Sequence, residues 1–481
     1  MRYLIRIAVL ALACCCSVAA QELPAKFVSE DGRLTLFLDE LEGLVEVHVM
    51  LGYGLIFPLD AQITGDTFTG RLGADFAIEG VLDGHAIHLV LRRGAVEETL
   101  SLTRQVASPA WHADSPLLAM LAFVPDTVAA RTGGVPGLSF ADYGAAFGVN
   151  VVTVPSTHQE FAALTDDARA SWVAAFQRLQ TGPQQLRQYV PLMIESMPEL
   201  LGIEWFDIER ALGYGSPPYL SVVLSADVDA ARLGEHLAER DFEEASLEGV
   251  TVWHRSEDGQ VNMAWREPGD PFVGPVGMAA RVTVLPGHLI GNSYWSMTRA
   301  AVSTFRRQYP SLADSPDYRT LAEAISQGDG ALIQAQFLGP LDVGFVSDDP
   351  FGILLEGAAP VTREGPALEP YGLAVLADRQ EGADQVAVIA VLYQDVGAAE
   401  RAAAVLAERL PDFRPDVLES WGARFDPPHV YSGDSGLSAA VVSVRYPLPE
   451  VGAPGQPPGG ALGLWLRALL MREFGLLRIG P

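Results

Sequence analysis

The sequence predicts an α+β protein: a small N-terminal all-β domain, sandwich or open barrel, followed by two related ferredoxin-like α+β modules. Three observations predict it. Up to about residue 104 the chain consists of short β-prone runs parted by turn residues. Helical periodicity appears only after residue 115. A strand–helix–strand–strand–helix order then occurs twice, about 168 residues apart. These features divide the chain into residues 1–20, 21–107, 108–365 and 366–481, the third part carrying a helical insertion.

Residues 1–20 read as a secretory signal. Arg2 and Arg6 supply the charge, Ile7 to Ala13 begins the apolar stretch, and Val18-Ala19-Ala20 offers small residues before Gln21. That stretch is too short to span a bilayer, and no later uncharged apolar run reaches the ~18 residues a span needs. The expectation is an extracytoplasmic protein, periplasmic or secreted, with no transmembrane span. A second outcome stays open, a lipid anchor through Cys14 or Cys15. Cys14, Cys15 and Cys16 are the only cysteines, so cleavage after Ala20 removes disulfides, thiol catalysis and cysteine metal sites together.

In the all-β part, Leu34–Leu38, Leu44–Val49 and Ile87–Leu91 are strand-like, and Gly65-Asp66, Asp83-Gly84 and Arg93-Gly94 fall between such runs, as in a meander of hairpins. In residues 161–180, Phe161, Leu164, Ala168, Trp172, Phe176 and Leu179 recur at steps of three or four, which predicts a helix with Arg178 mostly outside its apolar face. Residues 186–212 are predicted as a further helical region, interrupted by Pro191 and Pro198.

The repeat rests on two matches. Asp227-Val228-Asp229-Ala230-Ala231 recurs as Asp395-Val396-Gly397-Ala398-Ala399, and Leu237-Ala238-Glu239-Arg240 as Leu406-Ala407-Glu408-Arg409. Each follows a strand-like run, Tyr219–Leu224 and Val386–Val391, and each places an Asp where it can cap a helix N-terminus. Residues 357–370 are the expected boundary between the copies.

The net charge of −28 arises mainly from scarce bases: 60 acidic residues face 32 basic ones, of which Lys26 is the only lysine. A negative surface repels phosphate backbones, so nucleic-acid binding is excluded as a class. The acids concentrate in residues 195–270, which hold 17 against five arginines. There Glu204 and Asp207, at i, i+3 spacing, could bind a cation or a basic partner.

No catalytic set emerges. Gly433-Asp434-Ser435-Gly436 resembles the nucleophile segment of trypsin-like serine proteases, but Leu437 replaces the family's next glycine and no matching histidine segment lies upstream. It reads as a hairpin turn. His85 and His88, three apart on a strand, point to opposite faces, and the sequence shows no metal-ligand spacing, phosphate-binding glycine loop or calcium loop. No cofactor is expected.

Two aromatic, glycine-bearing segments remain. Gly213 to Tyr219 joins the preceding helical region to the first strand of the first copy, and Gly291 to Trp295 precedes a later helix. Tyr214, Tyr219, Tyr294 and Trp295 could form a contact surface, or could plug the edge of a core. The segments Leu121–Thr127, Ser139–Tyr143 and Trp205–Leu212 resemble a family of exported bacterial proteins of no assigned activity. That resemblance implies architecture and no mechanism. The functional expectation is a non-enzymatic envelope protein with a protein partner or a structural role. The alternative is an extracytoplasmic solute- or cation-binding protein.

Overall fold

The computed structural model describes residues 25–30, 34–41, 44–51, 56–64, 66–72, 76–83, 85–108, 115–128, 137–149, 153–216, 219–343, 368–448 and 459–479. Residues 1–20, expected to be a signal and carrying Cys14 and Cys15, and most of the expected boundary at 357–370 lie outside the described residues. The fold is α+β. Among the described residues no helix is long and apolar enough to cross a membrane.

Eight antiparallel strands come first: β1 (Ala25–Ser29), β2 (Leu34–Leu41), β3 (Leu44–Leu51), β4 (Ile56–Thr64), β5 (Thr67–Leu72), β6 (Phe76–Asp83), β7 (Ala86–Arg93) and β8 (Val96–Arg104). Each pairs with the next, and β1 also pairs with β8, so the strands form a closed barrel in place of the sandwich or open barrel the sequence predicts. Closure depends on the first and last strands meeting, which local alternation does not encode. The interior is filled by Phe27, Leu36, Val49, Phe68, Ile78, Leu89, Leu102 and their neighbours. Gly80 makes room for this packing: a Cβ there would lie 2.2 Å from the Phe68 ring on the paired strand.

The described residues after the barrel include one 13-stranded sheet, every strand pair of it antiparallel. Its strands are β9 (Ser139–Asp142), β10 (Arg210–Ser216), β11 (Tyr219–Ser225), β12 (Glu243–Leu247), β13 (Val250–Arg255), β14 (Ala280–Leu285), β15 (His288–Asn292), β16 (Ala331–Leu338), β17 (Ala374–Glu381), β18 (Asp384–Tyr393), β19 (Arg424–Phe425), β20 (His429–Ser432) and β21 (Ser438–Pro447). The order is mirrored about the β9–β16 pair. One side runs β9-β10-β11-β15-β14, extended by the β13–β12 hairpin, and the other runs β16-β17-β18-β21, with β19 and β20 both on β21. The two sides thus share one continuous sheet, joined where β16 pairs with both β9 and β17.

Among the described residues the α-helices are α1 (Pro116–Leu121), α2 (Tyr143–Val149), α3 (His158–Ala162), α4 (Asp166–Arg178), α5 (Gln184–Gln188), α6 (Val190–Leu201), α7 (Ala230–Ala238), α8 (Trp295–Phe305), α9 (Pro316–Ile325), α10 (Val396–Asp412), α11 (Pro415–Ser420) and α12 (Gly460–Leu470). Both sheet faces are covered, which explains why β17, β18 and β21 are buried almost throughout, even where β17 carries Asp378, Arg379 and Gln380. On β18, Val386, Val388 and Ala390 pack toward α1, α8 and α9, whereas Ala387, Ile389 and Val391 pack toward α10 and α12. On that second face the first half is covered instead by α2 and α4–α7, through Phe147, Trp172, Met193 and Leu233.

Both repeated aspartates bear on helix capping, with a shifted register. Asp229 accepts from the amides of Ala231 and Arg232 at the start of α7, and Asp395 from that of Ala398 at the start of α10. Asp229, rather than the sequence-matched Asp227, is the structural counterpart of Asp395. Leu237 and Leu406 are both buried, and α10 reaches its leucine about one turn farther from the cap.

Three local expectations are corrected. The periodic stretch 161–180 is two helices, because Thr165 starts α4 afresh by capping the amide of Ala168. The helical region 186–212 ends at Leu201: Gly202 adopts a left-handed conformation (φ 70°) and β10 follows. The segment from Gly213 to Tyr219 therefore joins no helix to a strand, since it belongs to the β10–β11 hairpin, of which 217–218 lie outside the described residues. Pairing with β9 and β11 decides this, and it acts between residues distant in sequence.

Candidate functional site

β11 lies between β10 and β15, so the four aromatics picked out by the sequence reach the same end of three adjacent strands. Tyr214 on β10 is buried, and its hydroxyl lies 3.5 Å from Asn292 Oδ1, which also accepts from Ser221 Oγ at 2.6 Å. Burial pushes the Tyr214 hydroxyl up to about 12, so it stays neutral and acts as core. Tyr219 and Tyr294 stand half-buried with ring centroids 4.5 Å apart. Trp295, also half-buried, lies 5.0 Å from the His254 ring on β13.

The backing of these rings is tightly built. Arg281 on β14, wholly buried, donates to the carbonyls of Ser293 (2.9 Å) and Ser256 (2.8 Å) and pairs with Asp258 at 2.7 Å. Asp258 in turn accepts the Trp295 amide at 3.0 Å, and the Arg281 guanidinium lies 5.6 Å from the Trp295 ring centroid. Burial lowers the Arg281 pKa, and Asp258 opposes that shift. At Gly259 (φ +66°) a Cβ would sit 2.2 Å from the Tyr294 hydroxyl. The loop is thus clamped to the start of α8, and Tyr294 and Trp295 are held in place before any contact is made. A preset aromatic surface loses little freedom on binding.

Behind it, a notch of about 10 Å³ lined by Leu220, Phe272, Gly291 and Asn292 has space for a water and nothing larger. Elsewhere, an open groove of about 480 Å³ is lined by Ser115, Leu118, Arg319, Glu323, Ser326, Gln327 and Tyr431. Its Tyr431 hydroxyl is already committed to Glu323 Oε2 at 2.9 Å.

Glu204 and Asp207 do not join the aromatics, because their segment packs on the other sheet face beside Trp205. Their carboxylates serve local structure. Asp207 accepts the Glu204 amide at 3.0 Å, while Glu204 accepts the His158 amide and lies 3.0 Å from His158 Nδ1. Among the described residues no group of three or more His, Cys, Asp or Glu could hold a metal ion. Asp270, within the acidic stretch, is buried and accepts from Arg240 and from the amides of Phe272 and Val273. Gly433–Gly436 forms the turn between β20 and β21, closed by the Gly433 amide on the Leu437 carbonyl.

Sequence reasoning missed Arg281, Asp258 and His254, which hold the aromatic surface. One signal was available: an arginine inside the apolar run Ala279-Ala280-Arg281-Val282 has to find buried acceptors.

Neither protein-family models nor curated proteins match this chain. Two solved structures, crystal forms I and III of TP0453, align with it at 8% identity. They cover 74% and 67% of this chain and 98% and 92% of theirs, with TM-scores of 0.29 and 0.26. At those scores the likeness says nothing about the fold, family or activity of this chain.

Proposed function

We propose that this is an exported, non-enzymatic protein of the cell envelope that binds a protein partner through the Tyr219–Tyr294–Trp295 surface. The observation that carries the reading is the pair of half-buried tyrosine rings 4.5 Å apart, backed by the buried Arg281–Asp258 clamp. Rigid, amphipathic aromatics supply contact area at low entropic cost, which suits partner recognition better than catalysis. The extracytoplasmic location rests on the signal-like residues 1–20, and the same segment offers Cys14 or Cys15 for a lipid anchor.

The architecture is read in the same spirit. In the second half, β17-β18-β21-β20 with α10 and α12 on one face supports a ferredoxin-like unit whose outer strand comes from the N-terminal side. The first half has the matching strand order, but α7 and α8 lie on opposite faces, so the two units are related and unequal.

The test is a photoreactive residue in place of Tyr219 in the living host, with one in place of barrel residue Val81 (48% exposed) as control. The reading expects a crosslinked polypeptide from the first position and none from the second. Equal yields, or none at either, refute it. Recovery of the protein with the cytoplasmic fraction refutes the envelope location.

A further inference from the structure

Lys26, the chain's only lysine, sits on β1 with 5% exposure, facing the body of the protein. Its Nζ donates to Ser315 Oγ at 3.2 Å, just before α9, and lies 3.8 Å from Asp126 Oδ2. Asp126, in the loop after α1, is 2% exposed, and neither of its carboxylate oxygens has a hydrogen-bond partner. An ordinary buried ion pair satisfies its lone pairs, because an unbonded carboxylate in a dry site costs several kcal/mol, about the cost of breaking a buried pair. This pair leaves the carboxylate bare and places a primary amine beside it.

The surroundings fit a condensation better than a charge pair. Burial, aided by Asp314, pushes the Asp126 acid up to about 7 against the pull of Lys26, which keeps a large fraction of the neutral, electrophilic acid near neutrality. Asp317, in the first turn of α9, lies two residues beyond Ser315, the hydroxyl that Lys26 Nζ reaches at 3.2 Å, and burial raises its acid against the pull of Lys26, which fits it to take up and return a proton. Tyr318, next to Asp317, is held neutral by burial and by the charges of Asp317, Asp342 and Asp126. Asp314 is engaged by Arg307 and by the Ser108 amide, so it is not the proton carrier.

We propose that Lys26 and Asp126 join in an intramolecular isopeptide bond that ties the barrel to the body. The Lys26 ammonium gives a proton to the Asp317 carboxylate, and the free amine attacks Cγ of the neutral Asp126 acid. The tetrahedral intermediate passes its second amine proton to the departing hydroxyl by way of Asp317. The C–O bond breaks, the C–N bond forms, one water leaves, and nothing is oxidised or reduced. The proximity of the groups in the folded state supplies the effective concentration such a step needs. In a chain whose only cysteines lie at 14–16, such a bond gives the covalent restraint that disulfides give elsewhere.

The test is mass spectrometry of the full-length purified protein, read against the N-terminus determined on the same sample. The bond predicts a mass one water below that of the sequence. After denaturation and trypsin, cleavage beyond Lys26 should be blocked, and its peptide should be joined to the one spanning residues 105–131. Asp126→Ala should restore the full mass and a free Lys26, and Asp317→Asn should leave most of the protein unjoined. Wild-type protein at full sequence mass, with normal cleavage after Lys26, overturns the proposal and leaves a buried ion pair. Loss of a water that maps to any other peptide overturns it equally.

Discussion

Arg178, at the end of α4, grips Asp378 on β17 with two hydrogen bonds of 2.9 Å, and both side chains are at most 5% exposed. The same carboxylate accepts from Gln334 Nε2 (3.0 Å) on the neighbouring strand β16, while Gln334 Oε1 accepts the amides of Gln180 and Thr181. Arg178 reaches further, to Gln380 Oε1 (2.7 Å) and the Arg379 carbonyl. A helix that packs on the β9 side is thereby fastened to β16 and β17, across the β9–β16 pair about which the sheet order is mirrored. The network is almost fully satisfied, which is what makes a buried charge tolerable.

Removing one partner should therefore be costly. Asp378→Ala leaves a buried guanidinium without its anion, and the expected loss is about 3–5 kcal/mol. The double variant Arg178→Met, Asp378→Leu should lose clearly less, because no charge is stranded. Urea unfolding of the three proteins checks it. Equal losses for the single and double variants would mean that packing, not charge, sets the cost.

The barrel makes a packing prediction. Gly80→Ala drives a methyl into the Phe68 ring and should cost about 1–3 kcal/mol. Adding Phe68→Leu should recover part of that loss by making space. If Gly80→Ala unfolds at wild-type denaturant concentration, the interior is looser than its geometry indicates.

The paired helix caps should respond alike. Asp229→Ala and Asp395→Ala each free amide donors at a helix N-terminus, for an expected loss of about 1 kcal/mol apiece. The sites lie in separate units, so the double variant should show the sum. Thermal unfolding of the single and double variants measures both points.

The ring of His288, on β15, is tilted against that of Phe123 with centroids 4.0 Å apart, and burial lowers its pKa below the ordinary value. The Pro286 carbonyl accepting from Nδ1 at 3.0 Å opposes that shift, and Arg210 reinforces it. The unfolded chain therefore binds the proton more readily than the folded one. Stability should be complete above about pH 6.5 and should fall as the pH drops through that value toward the depressed pKa. His288→Gln should flatten this part of the melting temperature–pH curve. An unchanged slope would assign the acid sensitivity to other groups.

The tyrosine pair should matter more for partner contact than for folding. Tyr219→Ala and Tyr294→Ala should lower stability by no more than about 1–2 kcal/mol, the worth of a half-buried ring pair. Either should nevertheless abolish crosslinking from the neighbouring position. A global loss of structure would make these rings core rather than surface.

Local patterns were enough to place the all-β segment, the capping aspartates with the helices they begin, and the turn at Gly433–Gly436. Each is set by nearest neighbours: alternation, apolar spacing, a side chain reaching an amide two or three residues on. The same patterns failed where long-range partners decide. Arg178 reads as an outward residue of an amphipathic helix, yet Asp378 lies 200 positions away and draws it inside. Residues 210–212 close the stretch that reads as helical, but pairing with β9 and β11 makes them part of β10. Barrel closure, the joining of both sides in one sheet, and the meeting of Lys26 with Asp126 belong to the same class. Side chains distant in the chain become neighbours only after hydrophobic burial stacks the layers, and the tertiary structure alone records which polar groups then find partners.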